Sequence, residues 1–189
     1  MLKDLSIRQL LGRRVLIVGD VGSGKTKLTA RLLEEAIGLG YADEITVIDM
    51  APKTINVGGM KVGGLLSEAT ASVSRVRYWR PKEVKAPRTT AKTPEQLLAY
   101  VQFNKEAIEP LLDKFIKEPT PILIINDLSI YLQAGEPRKV VLAMEKCQTF
   151  IANCYKGEKL AKDLGTGVSR VERDATEFIE HLVDVVIRL

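Results

Sequence analysis

The chain has 189 residues, 46% of them hydrophobic, and a formal charge of +4, which suffices for one sizeable core and leads us to expect one domain over 1–189. Two cysteines and one histidine exclude a zinc or iron–sulfur cluster built from this chain alone, and they exclude a disulfide framework. The longest apolar runs, Val15 to Val18 and Ile122 to Ile125, fall far short of the ~20 residues of a membrane-spanning helix, and the polar beginning MLKDLSIRQ is unlike a signal peptide, so a cytoplasmic location is expected.

Behind Ser6, residues Leu5 to Leu11 have helical spacing that Gly12 ends, and Arg14 to Val18 reads as a buried strand. The segment GDVGSGKT follows at once. From Lys25, apolar residues Leu28, Leu32, Leu33 and Ile37 recur at helical intervals until Gly38 and Gly40 stop the helix. Ile45 to Ile48 is a second buried strand, ending at Asp49. Pro52 and the pairs Gly58-Gly59 and Gly63-Gly64 make Met50 to Gly64 a loop or loose hairpin. Val73 to Trp79 alternates like a strand.

Thr93-Pro94-Glu95-Gln96 is a helix start with a capping threonine, a first-turn proline and a capping-box glutamine. Leu97, Leu98, Val101, Ile108, Leu111, Leu112, Phe115 and Ile116 continue its apolar face, and Pro110 is expected to kink or divide it. Ile122 to Ile125 is a third strand, ending in Asn126-Asp127. A helix from Pro137 to about Lys146, a strand from Thr149 to Tyr155, a helix opened by a Ser169-to-Glu172 capping box and reaching about His181, and a strand from Val183 to Leu189 complete the chain. This alternation predicts a three-layer α/β fold with a mostly parallel central sheet covered on both faces.

Between an apolar strand and an amphipathic helix, GDVGSGKT matches the phosphate-loop pattern at Gly19, Gly24, Lys25 and Thr26, with Gly22 added. A phosphate chain must be wrapped by inward-pointing backbone N–H groups, and such a nest needs residues that tolerate positive φ or close approach. The following helix adds the positive end of its dipole. The candidate phosphate-binding residues are therefore Gly19, Asp20, Val21, Gly22, Ser23, Gly24, Lys25, Thr26 and Lys27. Lys25 is placed to reach the terminal phosphates and the Thr26 hydroxyl to coordinate magnesium.

With these residues the chain resembles the P-loop NTPase superfamily, whose second signature is an acid at the end of a buried strand. ILIINDLS supplies it. The resemblance implies that Asp127 is the Walker B aspartate and a magnesium ligand beside Thr26, and that ATP and Mg²⁺ are the cofactors. Looser similarity points to the RecA and KaiC side of the superfamily, and the ending EFIEHLVDVVIRL after TFIANCYKG also looks like corrinoid adenosyltransferases. RecA-like members carry a glutamate that orients the attacking water. Here the best substitute is Asp49, with Glu136 poorer, which implies slow or partner-dependent hydrolysis. The guanine-specifying pattern Asn-Lys-x-Asp is missing, because Asn104-Lys105 is followed by Glu106-Ala107, and adenine is the expected base.

From Arg75 to Lys92 lie seven cations against the single acid Glu83, so that the segment needs open water or an anionic neighbour. Three readings follow. Hydrolysis could reshape this segment and the glycine-rich loop to drive a partner; Arg75, Arg77, Arg80 and Arg88 could clamp an anionic second substrate in a phosphoryl or adenosyl transfer; or they could hold nucleic-acid phosphates while Tyr78 and Trp79 stack on bases. A solvated loop with Tyr78 and Trp79 as core and rim is the bland alternative. The sequence favours a mobile element here, because Pro81 and Pro87 bar it from a helix or central strand, and an oligomer remains open. Cys147 and Cys154 read as small buried hydrophobes, and His181 as a helix-end or surface residue.

Overall fold

The apolar runs of the chain become the strands of one six-stranded sheet. In the computed structural model, which describes residues 5–160 and 162–189, these strands are β1 (Arg14–Gly19), β2 (Ile45–Asp49), β5 (Arg77–Trp79), β6 (Ile122–Asn126), β7 (Thr149–Tyr155) and β8 (Val185–Arg188). Met1 to Asp4 of the polar amino-terminal pattern lie outside the described residues. The spatial order is β5-β2-β6-β7-β1-β8, and every pairing in this sheet is parallel.

Near-continuous apolar strands imply a sheet buried on both faces, and alternate residues do go to opposite cores. Leu16, Val18, Ile48, Leu123, Ile125, Phe150 and Ala152 face one core, with Ile108, Leu112 and Phe115 of α4 (Pro94–Lys117), residues of α5 (Ser129–Leu132) and α6 (Pro137–Glu145), and Ile179 of α7 (Val168–Glu180). Val15, Ile17, Ile45, Val47, Ile122, Ile124 and Ile151 face the other, with Leu32, Leu33 and Ile37 of α1 (Lys25–Gly38) and Leu66 of α2 (Leu66–Ala69). The three-layer α/β expectation is met. Among the described residues, no helix is long and apolar enough to cross a membrane.

The glycine-rich stretch after β2 is a small antiparallel hairpin, β3 (Ile55–Val57) and β4 (Met60–Val62). Its base is closely built: a Cβ on Gly63 would come within 2.7 Å of the Lys53 carbonyl and 2.8 Å of the Pro52 carbonyl.

Several expectations are corrected. Val73 to Trp79 is not one strand, since Ala71–Arg75 forms a 3₁₀ turn capped by the Thr70 hydroxyl and only Arg77–Trp79 pairs with β2. Pro110 does not divide α4, which runs unbroken for 24 residues. Pro110 and Glu106 are both exposed, so the carbonyl that loses its donor faces water, and the buried face of Leu97, Val101, Ile108, Leu112 and Phe115 outweighs the proline penalty of ~3 kcal/mol. The Ser169 capping box is not used: Gly167 caps α7 in the left-handed conformation, the Asp163 carboxylate accepts from the Ser169 N–H at 3.1 Å, and Glu172 points inward.

The basic segment is tied into the fold more than its charge implies. Pro81 and Pro87 are buried, Pro87 opens the short helix α3 (Pro87–Thr90), and the Arg88 side chain is only 5% exposed. Asn104, fully buried, donates to the Lys85 carbonyl at 3.0 Å and accepts from the Lys85 N–H at 2.8 Å, which fixes this segment on α4. Both thiols are free, Cys154 is buried and Cys147 half-buried, and burial pushes each up to about 12. His181 is the exposed C-terminal cap of α7, with Nδ1 2.6 Å from the Glu177 carbonyl.

Candidate functional site

The turn between β1 and α1 owes its shape to two kinds of glycine constraint. Gly22 (φ 76°) and Gly24 (φ 97°) are left-handed, and a Cβ at either would meet nothing, so backbone conformation alone selects glycine there. At Gly19 the reason is space: a Cβ would lie 2.6 Å from Ser23 Oγ and 2.8 Å from the Leu189 carbonyl. Asp20 braces the loop, its carboxylate accepting from the Val21 N–H at 2.6 Å and the Glu158 N–H at 3.4 Å.

A cavity of about 430 Å³ opens over this turn. Val21, Gly22, Gly24, Lys25, Thr26 and Lys27 line it, whereas Gly19, Asp20 and Ser23 support the loop from behind. The Lys25 ammonium donates to the Gly19 and Asp20 carbonyls at 2.9 and 2.8 Å. Burial lowers its pKa, against the raising fields of Asp127, Cys154 and Asp20. The ammonium is thus held by loop carbonyls at the cavity wall.

Asp127 reaches the same cavity from the end of β6, across the intervening strand β7. Its backbone is left-handed (φ 57°), a conformation that costs a non-glycine residue about 1–2 kcal/mol and that aspartate tolerates better than most. Asn153 of β7 holds it there: the side-chain oxygen accepts from the Asp127 N–H at 2.8 Å and the backbone carbonyl accepts from the Leu128 N–H at 2.9 Å. The Asn153 amide in turn donates to Thr29 of α1 at 2.9 Å and to Asn126 at 2.8 Å. One polar residue in the interior of this strand thus registers α1 against the turn that carries Asp127. The Asp127 carboxylate receives one side-chain donor, the Ser129 hydroxyl at 2.6 Å. Burial raises its pKa, with Ser129, Lys25 and Arg88 opposing.

Asp49 corrects an expectation. It is fully buried and does not line the cavity, so it is no general base for a ligand held there. One carboxylate oxygen accepts from the Tyr78 hydroxyl and the Leu66 N–H, both at 2.6 Å, and the other from Asn126 at 2.8 Å and the Ala51 N–H at 3.3 Å. Asn126 also donates to the Gly64 carbonyl at 3.0 Å, so this acid ties the hairpin base, α2 and β5 to the sheet. Glu136, exposed before α6, is not in the cavity wall either.

Arg88 and Glu172 were not paired by the sequence. They form a buried ion pair in which Arg88 lines the cavity and Glu172 lies behind it, Arg88 Nη2 lying 2.7 Å from both Glu172 oxygens, with side chains 5% and 3% exposed. The Gln133 amide donates to Glu172 at 2.8 Å. Burial raises the Glu172 pKa while Arg88 and Gln133 hold it down. Tyr155 stands between the cations, its ring 4.9 Å from the Arg88 guanidinium and 6.0 Å from the Lys25 ammonium. Of the other residues singled out in the basic segment, Arg77 donates to the Glu118 carbonyl at 2.9 Å and lies 5.5 Å from the Trp79 ring, which Lys114 approaches at 4.4 Å. Tyr78 is committed to Asp49 and packs into the core.

No family model and no curated protein matches this chain. Among solved structures it is similar to the flagellar accessory protein FlaH of Methanocaldococcus jannaschii, at 15% identity and a TM-score of 0.43 over 94% of this chain and 71% of that one. A protein of Pyrococcus horikoshii OT3 is similar at 11% identity and a TM-score of 0.43, over 97% of this chain and 87% of that one.

Proposed function

We propose that this chain binds ATP with Mg²⁺ and hydrolyses it slowly or under a partner's stimulus. The observation that supports this most is the convergence of Gly22, Gly24, Lys25, Thr26 and Asp127 on one cavity, although Asp127 is a hundred residues away in the chain and on a strand not adjacent to β1. The Thr26 hydroxyl and the Asp127 carboxylate are hard oxygen donors suited to magnesium. Among the described residues no group of three or more acidic, histidine or cysteine side chains forms a metal cage, which suits an ion that takes its remaining ligands from phosphate and water. The ion would neutralise phosphate charge. Lys25 would exchange the Gly19 and Asp20 carbonyls for phosphate oxygens, and the nest N–H groups would orient the chain of phosphates.

Adenine remains the favoured base, since Asn104 is spent on the Lys85 backbone. Transfer to an anionic substrate and nucleic-acid association both lean on the basic segment, where Arg88 and Tyr78 already have buried partners; slow hydrolysis asks for no further binding surface. Calorimetric titration of ATP, with and without Mg²⁺, tests the proposal. Lys25→Ala should weaken binding roughly 10- to 100-fold, the range of one lost charge-assisted hydrogen bond, with the melting transition retained. Equal affinity in wild type and variant would sink it.

A further inference from the structure

Arg88 and Tyr155 line the large cavity and also a second, smaller one. The second cavity measures about 70 Å³, room for about five waters at the ~10–15 Å³ that each needs, and a phosphate ion has five heavy atoms. Arg88, Lys156 and Arg173 face it, and Glu172 is the one acid among the described residues of its wall. Glu172, Arg173 and Thr176 lie on one face of α7, at the three- and four-residue spacing of helical neighbours. Lys156 and Gly157 follow directly on β7.

Gly157 is a glycine for want of space, because a Cβ there would overlap Asp20 Cγ. The backbone at this point runs against the glycine-rich turn, the Lys156 N–H donating to the Gly19 carbonyl at 3.0 Å and the Glu158 N–H to Asp20 at 3.4 Å. What the wall leaves unspent is mainly donor. Glu172 is neutralised by Arg88 at 2.7 Å and accepts from Gln133 at 2.8 Å. The Gly157 N–H has no acceptor among the described residues, and the Arg173 guanidinium has no partner among them. The Lys156 ammonium, with three donors, lies 2.9 Å from Glu180 and 3.9 Å from Glu177. The Tyr155 hydroxyl accepts from the Leu160 N–H at 2.8 Å and keeps its own proton to give. Positive charge and spare donors, with the acid already held, suit an anion rich in acceptor oxygens.

We propose that this second cavity binds a small tetrahedral oxyanion, either inorganic phosphate or the phosphate end of a small molecule. The Arg173 guanidinium, the Lys156 ammonium and the Gly157 N–H donate to it, and Arg88 adds a permanent charge at the wall shared with the large cavity. The planar fork of an arginine matches two phosphate oxygens at once. Donors from separate parts of the chain then meet the remaining oxygens, of which a carboxylate would have none. A whole nucleotide is too large for this space. The site stands apart from the ATP reading, since none of its three donors lines the large cavity.

The experiment titrates nucleotide-free wild type and Arg173→Ala with inorganic phosphate, read in ¹H–¹⁵N spectra of the backbone amides and arginine side chains, with sodium chloride of equal ionic strength as the control. Arg173 is exposed, so its truncation should leave the fold intact. In wild type the Gly157 N–H and the Arg173 Nε–H should shift along one saturable curve. In Arg173→Ala the Gly157 curve should move to roughly 10- to 100-fold higher phosphate, the range of one lost charge-assisted hydrogen bond. Methyl phosphate, titrated in parallel, separates the two sources: saturation at Gly157 as with inorganic phosphate assigns the cavity to the phosphate end of a larger molecule, and a preference for inorganic phosphate assigns it to the free ion. Both uphold the site. A response confined to Gly22 and Gly24 would place phosphate in the glycine-rich turn alone. A Gly157 shift that chloride reproduces would be screening, and a Gly157 curve that Arg173→Ala leaves unchanged would make Arg173 a solvated surface residue. Any of these three results overturns the proposal, and none of them touches ATP binding, which calorimetry decides separately.

Discussion

Asp49, fully buried, and Asp127, half-buried in the cavity wall, are acids at the ends of neighbouring parallel strands, one residue apart in register: Asp49 pairs with Asn126, and Asp127 comes next. Burial raises the pKa of both. Their difference lies in who occupies the lone pairs. Asp49 has four donors from four parts of the chain and no access to the cavity, while Asp127 has one hydroxyl donor and opens onto it. A carboxylate whose lone pairs are filled by protein donors is tied into the fold, whereas one with a single donor and an open face keeps acceptor capacity free.

The largest expected effect breaks the knot. Asp49→Ala leaves the Tyr78 hydroxyl, the Leu66 N–H and one Asn126 donor without their acceptor, and unfolding by denaturant should show a loss of about 3–5 kcal/mol. A loss below about 1 kcal/mol would mean that Asp49 is not the tie described above. Nucleotide affinity, measured on the folded fraction, should change little.

Asp127→Asn should do the opposite. Asparagine keeps an oxygen for the Ser129 hydroxyl and removes a buried charge, so stability should stay within about 1 kcal/mol of wild type. The Mg²⁺-dependent part of ATP affinity should fall roughly tenfold, the scale of one charged ligand contact. If metal-free and metal-dependent affinity fall together, Asp127 acts on something other than the ion.

The smallest effect is a pH slope that sharpens the comparison. Because the folded, ligand-free protein holds the Asp127 proton to a higher pH than an exposed aspartate does, metal binding must displace that proton. The Mg²⁺-dependent affinity should therefore rise with pH until the raised pKa is passed and then level off, by at most tenfold per unit. A series of titrations upward from the ordinary aspartate range should show this slope in wild type and not in Asp127→Asn. The Asp49→Ala variant should keep it.

Much of the site was open to sequence reasoning because its parts are local. GDVGSGKT carries its own geometry in the positive φ of Gly22 and Gly24, and ILIIND carries a buried strand with an acid at its end. Asp49 stood as the best substitute for a water-orienting glutamate for the same reason, being an acid after an apolar strand. Nothing local reveals that Tyr78, Leu66 and Asn126 converge on it. Asn153 did leave a signal, a lone polar residue inside TFIANCY. Glu172 left a misleading one, since the spacing from Ser169 matches a capping box, yet the residue is turned inward by an arginine 84 positions earlier.

Strand, helix and glycine-rich turn depend on neighbours within a few residues, through side-chain period, glycine conformation and caps, so the α/β class and the place of Lys25 and Thr26 follow from the chain order of residue types. The partnership of Arg88, Glu172 and Gln133, the commitment of Asp49, and the survival of α4 through Pro110 depend on which distant segments share a buried space. Only tertiary packing could decide those, because the cost of burying a charge or losing a hydrogen bond is set by the partners that the fold delivers.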